Sequence, residues 1–506
     1  MRRATPGVPA RPPARRAPAR LAPLAAAACL ALACALPACS QGAAPAAAPD
    51  TRPDLLLVVV DTLRTDRLST YGNPRVTSPG LDALGASGVV FDDNTAQSSW
   101  TLPSMASLLS GRHVFVNAQR MPPDVPSLAE RLSEAGYQTV AFVGNPAVSP
   151  AGDYDRGFQH FIGREQTGNV TWDARALYSA LSHWLIANPR DGRPRFLYLH
   201  FMDPHFPYEP KDRDTLPGEQ PGVDVSQRVR LRDDVLEDWL DAVRSAGPGT
   251  PIYDEFDRDR RYIVESRDRY DREIANVDAA LRSIPMLLEP RERLVIVAAD
   301  HGEGLWDHRH HPALVERDVP PEERTLREVF FRDHSYHLYQ ELIRTPLIVS
   351  GPGFPQGRRL ATPVENVDIV PTLLRAAGLP DDPSLTGRAL QDVVAGTARP
   401  RAAIFSVCNE GTAVRDVTDG WKLIWPSPTG DSFGMPMQLY HLATDPHERT
   451  NLAEAGDTAV KGILRRLIRQ REEAAASFPL YEDASYHSDD PEQAQVLQEL
   501  GYTGPR

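Results

Sequence analysis

Apolar and polar positions fall in blocks along this chain. In "DLLLVVVDTLR" the apolar run at residues 55–60 is unbroken and is bounded by Asp54 and Asp61. A run of that length, with β-branched residues and no polar interruption, predicts a strand buried on both faces inside a sheet covered by helices. The same texture returns in "FLYLHFM" (residues 196–202), "RLVIVAADHGEG" (293–304) and "TPLIVSGPG" (345–353). Between these runs the periodicity is helical. "SLAERLSEAG" (127–136) opens on a capping serine with Glu130 three residues later and closes on glycine, and "VDIVPTLLRAAG" (367–378) closes the same way. In "WTLPSMASLLSGR", Pro103 and the apolar spacing of Met105, Leu108 and Leu109 predict a helix beginning at Thr101. This alternation predicts an α/β sandwich with a mostly parallel central sheet.

The texture changes near residue 385. "GWKLIWP" and "MQLYHLATDPHERTNLA" suggest short antiparallel strands and a turn, followed by a helix from about 457 to 475. The expected division is a main α/β domain over 53–385, a smaller α+β subdomain over 386–480, and a docked tail over 481–506.

The first 39 residues differ from the rest. They hold six arginines and no acidic residue, then an apolar stretch at 21–36 too short for a comfortable membrane span. This layout predicts an export signal. Its end, "LPAC", resembles the cleavage box of bacterial lipoproteins, in which Cys39 would become the lipidated first residue. A plain secretory signal cut a few residues later is the alternative. Residues 40–52 read as a flexible tether. The expectation is an exported protein of the bacterial cell envelope or periplasm, touching the membrane through a lipid anchor only. The formal charge is −13 for the whole chain, and −19 once the six signal arginines are set aside. So acidic a field does not attract polyanions, which argues against a nucleic-acid partner. Cys29 and Cys34 lie in the signal and Cys39 at its end, so Cys408 alone remains and no intrachain disulfide is expected.

Two carboxylates stand directly after buried runs, Asp61 and Asp300, and His301 follows the second. In open α/β sheets ligands bind beyond the strand C-termini. A mixed oxygen and nitrogen set there suits a divalent cation. Thr101 at a helix start faces free backbone N–H groups and a partial positive charge, which favours an alkoxide nucleophile and an anionic substrate. A helix-capping threonine is the plainer use of the same position. Histidines gather nearby: His200 and His205 flank Asp203 past a strand, His308, His310 and His311 follow the Asp300 pair, and His334 and His337 precede the next strand.

Taken in order, "VVVDTLRTDRLSTYG", "WTLPSMASLLSGR", "FMDPHFPY", "AADHGEG", "VDIVPTLL" and "LYHLATDPHERTNL" resemble the sulfatase branch of the alkaline phosphatase superfamily over about residues 53–452. The resemblance implies an alkaline-phosphatase/sulfatase-like sandwich and an ester hydrolase. It also departs from the family's pattern. True sulfatases convert a cysteine or serine, followed by a proline and an arginine, into formylglycine. Here Thr101 holds that position and Met105 stands where the arginine belongs. Thr62 follows Asp61 where a second aspartate is usual. Threonine-nucleophile relatives, the phosphoethanolamine transferases and lipoteichoic acid synthases, imply a metal shell of Asp61, Thr101, Asp300 and His301. The metal would be Zn, Mn or Ca, with a second ion an option. They further imply His205 and His334 as the histidines that hold the phosphate, protonate the leaving oxygen or bind that second metal.

The activity expected is hydrolysis of phosphate or sulfate esters through a covalent threonine intermediate, phosphoryl esters preferred. The substrate would be an anionic ester, glycan- or lipid-linked. Transfer of a phospho-alcohol group to an acceptor is the alternative, and a catalytically dead binding protein the third reading. Residues 309–333, longer than the family usually has here and rich in charge, are expected to cover the pocket as a lid.

Overall fold

The structure is a computed structural model that describes residues 50–113, 120–163, 172–210, 216, 229, 231–310, 319–408, 411–426 and 436–477. The signal, Cys39, most of the tether, His311 and the 481–506 tail lie outside the described residues.

Fifteen strands are described: β1 Asp54–Val60, β2 Val89–Thr95, β3 Gln138–Val143, β4 His160–Ile162, β5 Arg195–Phe201, β6 Arg293–Ala299, β7 Gly304–Arg309, β8 Phe330–Asp333, β9 Arg344–Ser350, β10 Arg358–Leu360, β11 Val364–Glu365, β12 Ala403–Cys408, β13 Gly411–Asp416, β14 Trp421–Pro426 and β15 Gln438–His441. Nine of them form the central sheet, in the order β10-β2-β9-β6-β1-β5-β3-β4 with β11 also paired to β2. β1 sits at its centre, parallel to β5 and β6. β9 runs antiparallel to both β6 and β2, so the sheet is mixed and mostly parallel, as the block pattern leads one to expect.

All seven residues of β1 are buried, because helices cover both faces. Successive side chains on a strand point to opposite faces. Leu55, Leu57 and Val59 therefore join one apolar cluster, with residues of the helices Thr101–Ser110, Leu128–Glu134 and Ile369–Ala376. Leu56, Val58 and Val60 join the other, against Ala174–Ala187 and Phe256–Leu287. The helix at 128 starts as its sequence predicts: Ser127 Oγ accepts from the Glu130 amide at 3.0 Å, and Glu130 accepts from the Ser127 amide at 2.7 Å. Leu390, Val393 and Val394, beyond residue 385, also pack into the first cluster.

β12–β15 form a separate four-stranded antiparallel sheet, covered by the helix Thr458–Ser477 through Val460, Leu464 and Leu467. Several contacts fasten this sheet to the larger body, among them the following. Ser98 pairs with Val407 as an isolated bridge, with the Val407 amide donating to Gln97 O at 2.8 Å and Ser98 Oγ to Val407 O at 2.7 Å. The fully buried Lys422 ammonium donates to Glu448 at 2.6 Å and to Leu338 O.

β7 and β8 form a small antiparallel ribbon. It bears on the expected lid. The described part of residues 309–333 is folded into the body, with Leu326 and Phe330 buried beside Trp239 and Trp306. Residues 311–318 lie outside the described residues. What the described part does is return the chain from β7 to place His334 directly after β8.

Candidate active site

β1 and β6 are in register so that Val60 pairs with Ala299. The residues that follow, Asp61 and Asp300, therefore emerge side by side at the carboxyl edge of the sheet. Both are fully buried. Asp300 Oδ1 accepts the amides of His301 at 2.8 Å and of Thr62 at 3.2 Å. Thr62, which stands where a second aspartate was looked for, thus supplies a backbone donor, from a left-handed conformation at φ 54°. Asp61 Oδ2 accepts from Asn145 Nδ2 at 2.5 Å and lies 3.6 Å from His200 Nε2.

His301 presents one particular nitrogen. Its Nδ1 is 2.8 Å from Gly302 O, and a carbonyl only accepts, so Nδ1 carries the proton. Nε2 is left with its lone pair toward the carboxylates, 3.4 Å from Asp300 Oδ2 and 3.6 Å from Asp61 Oδ1. Burial, and then the charge of His334, push this imidazole down to about 3, so it is neutral, as a ligand must be.

Thr101 is brought to the same point. It occupies the first turn of the ten-residue helix Thr101–Ser110, whose N-cap is Trp100 and whose cap makes no side-chain bond, so the threonine is not a cap. Its Oγ1 is 3.2 Å from His301 Nε2. Ser104, one turn on, donates to Asp300 O at 2.5 Å and pins the helix start to the end of β6. Met105 is wholly buried in the apolar cluster and offers the site no charge.

His205 and His334 complete a row of rings. The His301 and His334 centroids are 4.5 Å apart and those of His334 and His205 5.0 Å. His205 Nδ1 donates to Phe206 O at 2.6 Å, which fixes its orientation. His334 Nδ1 lies 3.3 Å from the buried Glu303 and 3.3 Å from Asp333. Burial lowers the His334 imidazole, but the Glu303 contact and charge outweigh it and push it up to about 9. His334 is therefore a cation at neutral pH.

The geometry of the donor set suits a cation. One ligand atom from each of Asp61, Asp300 and His301 lies within 4.8 Å of the others. Asp61 Oδ1 and Asp300 Oδ2 are buried and accept no hydrogen bond. Burial and the neighbouring Asp61 charge push Asp300 well above the carboxylate range. Two buried carboxyl oxygens without donors face one unprotonated imidazole nitrogen, and that donor set fits a divalent cation. Glu303, Asp333 and His334 form a second such group.

Other expected residues fall elsewhere. His308 stacks on Tyr339 with centroids 4.0 Å apart and bonds Glu341 and His447 O, a packing role. Asp203 receives the Ala174 amide at 2.6 Å at the start of a helix. His310 and His337 line a neighbouring cavity. Asn145 and Glu303 were not singled out from sequence, although each follows a buried run whose strand lies in the central sheet.

Comparison with known proteins places this site in context. The sulfatase family profile matches residues 53–379, and the profile for the C-terminal part of N-sulphoglucosamine sulphohydrolase matches residues 330–476. The chain is 23% identical over 453 residues to a Δ4,5-hexuronate-2-O-sulfatase of Bacteroides thetaiotaomicron, covering 81% of this chain and 86% of that protein. It is 24% identical over 472 residues to a choline-sulfatase of Rhizobium meliloti, covering 80% and 83%. Among solved structures, a phosphonate monoester hydrolase of Agrobacterium radiobacter superposes with a TM-score of 0.59 at 22% identity, over 83% of this chain and 96% of that one. That last likeness concerns the fold.

Proposed function

The chain belongs to the sulfatase family of ester hydrolases, and from that premise we propose that it is a metal-dependent hydrolase of anionic esters in which the unmodified Thr101 is the nucleophile and phosphoryl esters are preferred to sulfuryl ones. The observation that carries this reading is the position of Thr101 Oγ1, in the first turn of its helix and 3.2 Å from His301 Nε2, beside two buried carboxylates. Threonine cannot become formylglycine, so a hydroxyl that only packed or capped would leave this arrangement without a nucleophile.

Asp61, Asp300 and His301, with Thr101 Oγ1, would hold a divalent cation. When bound, it supplies charge that favours the alkoxide and neutralises an ester oxygen. The chain's own groups do the rest. The helix start directs backbone N–H groups at the anion. Thr101 Oγ1 gives up its hydroxyl proton to solvent water and forms a bond to phosphorus, and the bond from phosphorus to the leaving alcohol oxygen breaks. That oxygen takes a proton from His334, which Glu303 keeps charged, while His205 stabilises the developing charge. Water then cleaves the threonine ester, regenerating the hydroxyl and releasing phosphate.

The phosphoryl preference follows from the second step. A formylglycine hydrate expels sulfate by collapsing to the aldehyde, whereas threonine has no second hydroxyl and its ester must be cleaved by water. The curated relatives named above are sulfatases, so this preference sets the chain apart from them. The proposed setting is the envelope, after export.

The test is turnover of matched aryl phosphate and aryl sulfate, with mass spectrometry of acid-quenched enzyme. Phosphate turnover should exceed sulfate turnover, and a phosphoryl mass should appear on Thr101. Thr101→Ala should lose at least about a thousandfold in kcat with the fold intact. Near-normal turnover by Thr101→Ala, or cleavage of sulfate esters alone, would overturn the reading.

A further inference from the structure

A cavity of about 160 Å³ opens beside His334, walled by His310, Phe331, Arg332, Asp333, Tyr336 and His337. Its place in the molecule follows from its lining. His334 also borders it, and its ring centroid is 4.5 Å from that of His301. On the reading above the leaving oxygen of an ester held at Thr101 and His301 lies against the His334 ring, and the group attached to that oxygen extends into this space.

The walls are largely flat rings. The Phe331 centroid is 4.6 Å from that of His337 and 5.8 Å from that of His310, and Tyr336 is 36% exposed at the rim. Ring faces of this kind hold other rings through offset stacking and C–H contact. A cavity of roughly 150 Å³ is known to accept one benzene ring. The charge of the walls is balanced. Arg332 and Asp333 cancel formally, the His334 cation is matched by Glu303 at 3.3 Å, and the Arg332 guanidinium already lies 3.7 Å over the Phe206 ring. Burial pushes His310 down to about 4, so it is neutral at physiological pH. A polyanionic substituent would need surplus cations here, and the lining has none to give.

We infer that this cavity is the leaving-group subsite and that it takes a single neutral ring, a sugar or an aryl group, rather than a multiply charged chain. The inference rests on the phosphoryl-hydrolase reading above and deepens it. β8 and the turn after it then serve substrate choice as a wall, with no closing movement required.

Steady-state kinetics with methyl phosphate, phenyl phosphate, methyl glucoside 6-phosphate and a bis-phosphorylated disaccharide tests this. In the wild type, one of the two single-ring esters should have the highest kcat/KM, and which one identifies the ring. Tyr336→Ala should lower the ratio of ring-ester to methyl-ester kcat/KM about tenfold, and Tyr336→Phe should restore it. An unchanged ratio in Tyr336→Ala, or a wild-type preference for the bis-phosphorylated disaccharide, would overturn the subsite. Should no ester be hydrolysed, the hydrolase reading fails separately. Calorimetric binding of phenyl phosphate to Thr101→Ala, with and without Tyr336→Ala, then decides the subsite: weakening of about tenfold supports it and equal affinity rejects it.

Discussion

Asn145 gives an amide hydrogen to Asp61 Oδ2 and leaves Oδ1 facing His301 and Asp300. A hydrogen bond to a ligating carboxylate sets its orientation, and losing such a partner typically weakens a metal about 10–100-fold. Asn145→Ala should therefore bind a divalent cation that much more weakly in a chelator competition while unfolding at a similar temperature. Unchanged affinity would mean that the amide only packs. Asp61 and Asp300 were legible because each comes directly after an unbroken apolar run, with His301 next in line, and a polar residue there must sit at the sheet's edge. Asn145 and Glu303 were not. The meaning of Asn145 depends on which strand lies two places from β1, and that of Glu303 on a histidine brought back by β8. Neither fact is local to the sequence.

Among the elements, the short β11 carries a buried knot of charge. Glu365 accepts from His113 Nε2 at 2.8 Å and from Arg401 Nε at 2.8 Å, with Gln97 Nε2 3.2 Å away. Burial alone would raise this carboxyl, but the Arg401 and His113 charges outweigh it and hold it down to about 2. A carboxyl depressed in the folded state contributes stability above its ordinary pKa of 4.5, and that contribution fades as pH falls toward 2. Glu365→Gln should thus cost roughly 2–3 kcal/mol at pH 7 by urea unfolding. The gap to wild type should narrow steadily below pH 4.5, and a gap independent of pH would refute the ionic account. The buried strands and the helix caps were readable because burial and capping leave marks in neighbouring residues. The direction of β9 was not: an apolar run records that a strand is covered, not which way it runs.

For the whole molecule, the expected export anchor yields a prediction of its own. Cys39 closes the one segment of the chain that pairs arginines with a long apolar stretch, and no helix among the described residues is long and apolar enough to cross a membrane. Expressed in a bacterium with lipoprotein processing, the wild type should partition to the membrane pellet and label with palmitate, and Cys39→Ser should move to the soluble fraction unlabelled. Equal partitioning of the two would leave only a secretory signal.

The bridge between Ser98 and Val407 joins residues 309 positions apart. It grips the strand of backbone that leads into Thr101, so the order in which the chain is made and the order in which the site is assembled run in opposite directions. Thr101 is synthesised within the first quarter of the chain, yet the Ser98 edge of its segment lacks its bridge until β12 exists. Contacts so distant in sequence close late in folding. A chain clipped before residue 403 keeps Asp61, Thr101, Asp300, His301 and His334 but loses the bridge to Val407, so its turnover relative to the full chain measures what that bridge contributes to the setting of Thr101.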